Sequence, residues 1–373
     1  MNDDIPTPDQ APGAPHPRET CRLIGQDAAQ QAFLTAYTSD RLHHGWLLTG
    51  PRGVGKATLA WRIARFLLAT PPMDDGGLFG APEPPESLDV DPDHPISHRV
   101  LAGAEPGLAA ITRSLNDQGR LRNEIVVDDV RKLGKFFGLS AADGGRRVVI
   151  VDSADDMNIS AANALLKMLE EPPARTTLLL VSHQPSRLLP TIRSRCRTLR
   201  LQPLRAEDMH TALVQAGVEV PADTDHLTAL AAGSVGDAVR LINLGGMEIY
   251  AELIAILGTL PRLNRQRALA LAEAAAQRGA ADRFDLLLNL IDVALARLAL
   301  TGATGAAPVP EAAPNESQTL ARLSPSPDQA RRWAGIAATI TARARHGQAV
   351  NLDPAALVLD TVFKIQETAG QNR

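Results

Sequence analysis

Trp46-Leu-Leu-Thr-Gly50-Pro-Arg-Gly-Val-Gly-Lys56-Ala-Thr58 runs from an apolar, strand-like stretch through a glycine-rich turn into the start of a helical pattern. Gly50 and Gly55 allow backbone angles closed to other residues, so successive N–H groups can turn inward around an anion while Lys56 adds a positive charge. The spacing G-x-x-x-x-G-K is that of a phosphate-binding loop, with Gly50, Pro51, Gly53, Val54, Gly55, Lys56, Ala57 and Thr58 as the candidate cradle. That spacing calls next for a Ser or Thr hydroxyl to bind magnesium, and Ala57 stands there instead.

The flanking sequence supplies a sheet for this loop. Upstream, Ala29, Phe33 and Tyr37 recur at a spacing of four and predict a helix that ends near His43-His44-Gly45. Downstream, Ala57 to Leu68 is predicted helical, with Leu59, Ile63, Phe66 and Leu67 facing the sheet. Leu108 to Ile111 reads as a short strand, and Asp128 as the cap of a helix whose apolar face is Val130, Leu133, Phe136 and Phe137. Arg146-Arg147-Val-Val-Ile-Val151-Asp152 holds a fully apolar strand that ends in an acid, which places a carboxylate at the carboxyl edge of a parallel sheet, where ligands bind. Taken alone, Asp152 is either a magnesium ligand or a turn-capping residue; its place downstream of Lys56 favours the first. Ser160 to Glu171 predicts an amphipathic helix stopped by Pro172-Pro173, and Thr177 to Val181 a strand ending in Ser182-His183, where a polar side chain could sense a phosphate. A fifth strand follows around Thr198 to Leu201. Beyond Pro203 the pattern is helical throughout.

The expected organisation is therefore a disordered arm over 1–18, an α/β domain over 19–203, a small helical unit over 204–245 and a helical domain over 246–373. The arm is inferred from five prolines and few apolar residues. Loops are expected at 71–95 and 302–318, where Pro, Gly and small residues collect. A net charge of -4 and a pI near 6.2 give no strong basic footprint, so solitary tight DNA binding is not expected. Cys21 and Cys196 are too few for a disulfide framework or a four-cysteine zinc site. His94 and His98 lack a second ligand pair, so zinc is not expected; His43 and His44 receive no role. No apolar run is read as membrane-spanning, and a cytoplasmic location with no membrane partner is expected.

Strand, phosphate loop, strand ending in Asp152, sensor strand, then Ser194-Arg195-Cys196 and helices is an order that resembles AAA+ ATPases of the clamp-loader type. The segments that carry the resemblance are Val127-Asp-Asp-Val-Arg131, Val151-Asp-Ser-Ala-Asp-Asp156, Asn163-Ala-Leu-Leu-Lys-Met-Leu-Glu-Glu-Pro-Pro173 and Thr191-Ile-Arg-Ser-Arg-Cys196. They cover about residues 20–245. The resemblance implies a five-stranded AAA+ domain, a helical lid and a C-terminal oligomerisation collar. It implies as partners motor subunits, a clamp-opening subunit, the sliding clamp and primed DNA. It also implies that Arg195 is an arginine finger reaching a neighbour's ATP. Against the family pattern, Ala57 replaces the magnesium hydroxyl, Ser153 the water-orienting glutamate, and Gly236 the lid arginine expected in Gly233-Ser-Val-Gly-Asp237. The expectation is a cradle that holds ATP or ADP without productive magnesium and without hydrolysis. The family's zinc module is not expected, because the interval directly after the phosphate-loop helix holds no cysteines. The rival readings are an active AAA+ motor and a small-molecule kinase. The three replacements argue against the first, and the Ser-Arg-Cys segment has no purpose in the second.

Overall fold

A computed structural model of the chain describes residues 7–39, 41–70, 83–139, 145–277 and 281–371. Five parallel strands form one sheet in the order β2-β3-β4-β1-β5. They are β1 Gly45–Thr49, β2 Leu108–Ile111, β3 Arg147–Val151, β4 Thr176–Ser182 and β5 Arg197–Arg200. β1, β3 and β4 are buried at every position. A strand covered on both faces has no solvent side to mark with polar residues, which is why these three read as continuous apolar runs.

One face, made by Leu47, Val149, Val151, Leu178 and Leu180, packs on α4 (Val127–Leu139) and α5 (Ile159–Glu170) through Val130, Leu133, Ala161, Leu165 and Leu169. The opposite face meets α1 (Asp27–Thr38) and α2 (Lys56–Ala69). There Phe33 lies 4.9 Å from the ring of Trp46, and Tyr37 meets Phe66 edge-on at 4.9 Å. In register Thr49 pairs with Ser182 and Val151 with Leu180, so the phosphate loop, Asp152 and the end of β4 emerge together at one edge of the sheet.

The helix starts differ in detail from the sequence expectation. α4 begins at Val127, and its first-turn acceptor is Asp129, which takes the Val126 N–H at 3.2 Å and the Ser114 hydroxyl at 3.0 Å; Asp128 turns outward to Arg131. α5 begins at Ile159 and is capped by Asn158, which accepts from Ala161 N at 2.9 Å. Within the predicted 71–95 loop, residues 71–82 lie outside the described residues. A helix the sequence did not announce, α3 (Pro95–Leu101), follows; its start is set by Pro95 and by His94 Nδ1, which accepts from Ile96 N. α6 (Pro190–Arg193) and α7 (Ala206–Gln215) complete the helices around the sheet.

The segment expected to be a disordered arm needs correction over residues 7–18; residues 1–6 lie outside the described residues. Composition underrated it because polar bonds, not apolar area, tie it down. Arg65 donates to the Arg18 carbonyl at 2.6 Å, and Arg62 donates to the Cys21 carbonyl. His16 is buried against Trp61 of α2, ring edge to ring face, at 5.7 Å.

By internal contacts, residues 1–218 with 234–236 form one unit, and 219–233 with 237–373 form another. The second contains α8 (Thr224–Leu230), most of α9 (Val235–Leu244), α10 (Gly246–Thr259), α11 (Arg265–Ala275), α12 (Ala281–Thr304), α13 (Glu316–Leu323), α14 (Pro327–Ala349) and α15 (Pro354–Gly370). The expected 302–318 loop is narrower, since α12 runs through Thr304 and α13 starts at Glu316. Glu316 holds this connection closed: its fully buried carboxylate accepts from Arg297 Nε at 2.7 Å and Nη2 at 2.9 Å, from the Tyr250 hydroxyl at 2.6 Å and from Ala312 N at 2.6 Å. α12 is long and apolar enough by composition to cross a bilayer, contrary to the expectation that no run would be. Asp292 and Arg297 interrupt it, each bonded within the unit, and the helix packs along α14 and α10.

Candidate functional site: a closed phosphate cradle and a remote arginine

The loop after β1 folds as its glycines require. Gly50 has φ +143° and lies so close to the chain after β5 that a Cβ would sit 2.5 Å from the Leu201 carbonyl. Gly53 has φ +72°, and a Cβ there would meet Ser234 Oγ at 2.2 Å. Backbone closes this side of the loop, with Val235 N and Gly236 N donating to the Gly53 carbonyl at 3.0 and 3.3 Å. At Gly236, where the family pattern expects an arginine, a Cβ would lie 3.3 Å from Gly53 Cα, so at this position it is main chain that meets the loop.

Lys56 begins α2 and is buried. Its Nζ donates to the Gly50 carbonyl at 2.8 Å and to the Pro51 carbonyl, so the ammonium is satisfied by the loop itself. Burial pushes its pKa down to about 8, against the upward pull of Asp152 and Asp155. Burial, helped by the negative charge of Asp9, pushes Asp152 up to about 7, with Lys56 opposing. A carboxyl that keeps its proton up to about neutral pH is a weakened ligand for a hard divalent cation, and Ala57 offers no oxygen. Thr58 is one residue further on and ~100° round the helix. The donor set therefore does not fit magnesium, whereas the turned-in backbone retains the shape of a phosphate cradle.

Ser182, the candidate phosphate sensor, is fully buried and donates at 2.6 Å to Asp155. The same carboxylate accepts from Gln184 N at 3.1 Å and from His183 N, so it fixes the whole end of β4. Asp155 escaped the sequence reading; the second acid in Val151-Asp-Ser-Ala-Asp155 was the available signal. His183 has its Nδ1 without a partner, and burial together with Lys56 and Arg52 lowers its pKa to about 4. Ser153, where a water-orienting glutamate was expected, donates to Asp156 at 3.0 Å. His44 bonds the Leu169 carbonyl, and His94 caps α3.

Arg195 stands apart from these groups. It sits in the turn between α6 and β5, with its carbonyl 3.1 Å from where a Cβ on Gly45 would lie. Gly45 begins β1 and the cradle follows the end of β1, so about five residues of strand, ~16 Å, separate Arg195 from its own phosphate loop. Its guanidinium, about one-third exposed, pairs with Glu170 at 2.8 Å and donates to the Thr191 carbonyl at 3.0 Å. A cavity of about 330 Å³ also lies in this unit, among Arg22, Asp27, Arg62 and Asp89, away from the phosphate loop; its opposed charges form no convergent set.

Residues 25–205 match the family model described as DNA polymerase III, delta subunit. The chain is 37% identical over 227 residues to the DNA polymerase III subunit delta' of Pseudomonas aeruginosa, covering 60% of this chain and 64% of that protein. It is 33% identical over 217 residues to the subunit delta' of Escherichia coli, covering 57% and 58%. The matches thus span a little under two thirds of these relatives' lengths. A DNA polymerase III gamma subunit-related protein of Thermotoga maritima aligns over 90% of this chain and 99% of its own, at 15% identity and a TM-score of 0.35. The strand order, with the phosphate loop after the strand between β4 and β5 and an acid ending β3, is that of an AAA+ sheet. Over residues 25–205, this chain is similar to the DNA polymerase III delta-prime subunits.

Proposed function

We propose that the chain acts as the delta-prime subunit of a DNA polymerase III clamp loader. It would not hydrolyse nucleotide itself, and would present Arg195 to the ATP of a neighbouring motor subunit while the complex places the sliding clamp on primed DNA. Residues 19–203 are then the nucleotide-binding module, 204–245 the lid and 246–373 the collar that joins subunits. The partners are the motor subunits, the clamp-opening subunit, the clamp and DNA reached through the complex, in the cytoplasm and without a membrane. The cradle of Gly50, Pro51, Gly53, Val54, Gly55, Lys56, Ala57 and Thr58, with Asp152 beside it, is a site for ADP or ATP that lacks a magnesium partner.

The observation that carries this reading is the length of sheet between Arg195 and its own phosphate loop. A guanidinium that cannot reach the home phosphate, yet is about one-third exposed and held by two acceptors, supports a role at another subunit's phosphate. A guanidinium presents fixed, planar donors that suit phosphate oxygens. Ala57, Ser153 and the main-chain contact at Gly236 support the absence of hydrolysis.

The test is Arg195→Ala in a complex reconstituted with its motor and clamp-opening subunits. An arginine finger contributes about 10³ to 10⁵ in rate, so DNA-stimulated ATP turnover by the complex is expected to collapse. The half-exposed pair with Glu170 contributes at most ~1 kcal/mol, so the chain should remain folded and assembled. Unaltered turnover overturns the finger. Magnesium-dependent turnover by the isolated chain, lost in Lys56→Ala, would identify an active motor instead.

A further inference from the structure

The segment that precedes α1 lies against the cradle. Ala11 Cβ is 3.7 Å from where a Cβ on Gly236 would be, and Gly236 in turn abuts Gly53 of the phosphate loop. On either side of Ala11 the chain is fastened. Asp9 accepts from His16 Nε2 at 3.1 Å, while His16 Nδ1 accepts from the Arg18 N–H at 3.1 Å, so both ring nitrogens are used to close a loop over residues 9–16. His16 itself rests on Trp61, and Arg62 and Arg65 on α2 hold the Cys21 and Arg18 carbonyls. This hook is rooted in the helix that the phosphate loop opens. The Asp9 side chain is largely buried, and its charge is one of the influences that raise Asp152 beside the cradle. A negative charge close enough to raise Asp152 also disfavours an anionic ligand in the cradle. Meanwhile Lys56, the group that would greet a phosphate, is turned onto carbonyls of its own loop.

We propose that residues 7–18 are a built-in occupant of the nucleotide cradle, and that a nucleoside diphosphate or triphosphate enters only when the Asp9–His16 hook lets go. This rests on the cradle being a nucleotide site. The segment and the ligand compete, so apparent affinity falls by the fraction of molecules with the hook open.

The closing experiment uses the full chain and a fluorescent ADP without magnesium. Asp9→Ala/His16→Ala removes the hook without touching the phosphate loop, and is expected to bind about tenfold more tightly than the parent chain. The second variant is Ala11→Cys/Gly236→Cys in a Cys21→Ser background. Its Cβ separation suits a disulfide, and Cys196, its thiol pushed up to about 12 by burial, will not compete as a nucleophile. Oxidised, it is expected to bind no ADP; reduced, it should bind at least as well as the parent chain. Adding ADP to the parent chain should also speed hydrogen exchange at residues 7–18. If the cysteines do not pair on oxidation, if locked and reduced forms bind alike, or if the hook variant binds no more tightly, the proposal is overturned. In those cases binding that Lys56→Ala abolishes would leave the cradle standing without its occupant. Binding in none of the forms would remove the cradle as well.

Discussion

Replacing Asp152 with Asn should change how the sheet-containing unit responds to pH. In the folded protein the Asp152 carboxyl titrates near 7, against 3.8 for a free aspartate side chain. Between those values the native state keeps a proton that the unfolded chain has released, so stability falls as pH rises, by about 1.4 kcal/mol per pH unit at most. Integrated, the cost is about 1.7 kcal/mol at pH 5 and about 4 kcal/mol at pH 7.5. Asn carries no such cost. Asp152→Asn should therefore gain about 2.5 kcal/mol on the parent protein between pH 5 and pH 7.5. His183 works in the other direction. Its pKa is lowered to about 4, so the unfolded chain binds the extra proton and stability rises with pH up to about 6.5. That contribution is common to both proteins and cancels in the difference. Urea unfolding is followed by the fluorescence of Trp46 and Trp61, in a Trp333→Phe background that silences the remaining tryptophan. Stability curves that run parallel from pH 5 to pH 7.5 would refute the assignment, because the carboxyl would then titrate alike in both states.

Two further outcomes follow from buried acids. Arg297→Ala should destabilise the helical unit by about 3–5 kcal/mol in calorimetry, because it strands the buried Glu316 carboxylate, and Arg297→Met combined with Glu316→Leu should recover most of that loss. Asp155→Ala should cost about 1–3 kcal/mol and speed amide exchange at His183 and Gln184, which lose their acceptor, whereas exchange in β5 should not change.

The sheet was legible because its signal is one-dimensional. Wherever a strand is covered on both faces, as in β1, β3 and β4, the apolar run announces it, and even the partly exposed β2 was found with the bounds it has. The phosphate loop was legible because glycines at fixed offsets leave the backbone few options. Helix starts were harder, since Asp128 and Asp129 both suit a cap and only the position of Ser114 and Val126, set by the chain before α4, decides between them. The closed state of the cradle was not legible at all. Nothing in the order of residues says that Lys56 turns back onto Pro51, that Ser182 is spent on Asp155, or that a proline-rich segment is pinned by a histidine and two arginines. Those are contacts between distant positions, made by polar groups whose composition signature is that of a loop.

β5 is the outer strand on one side of the sheet, and Arg197, Thr198 and Arg200 are exposed along it while Leu199 alone is buried. The Arg197 guanidinium lies over the Trp46 ring at 5.3 Å. An outer strand has a row of unpaired main-chain groups and is the natural place for a second chain to add itself as another strand. Two arginines within four residues make that addition a meeting of like charges, which guards the chain against strand-by-strand aggregation. On this side of the sheet, side chains rather than an added strand of the same kind are what the molecule offers.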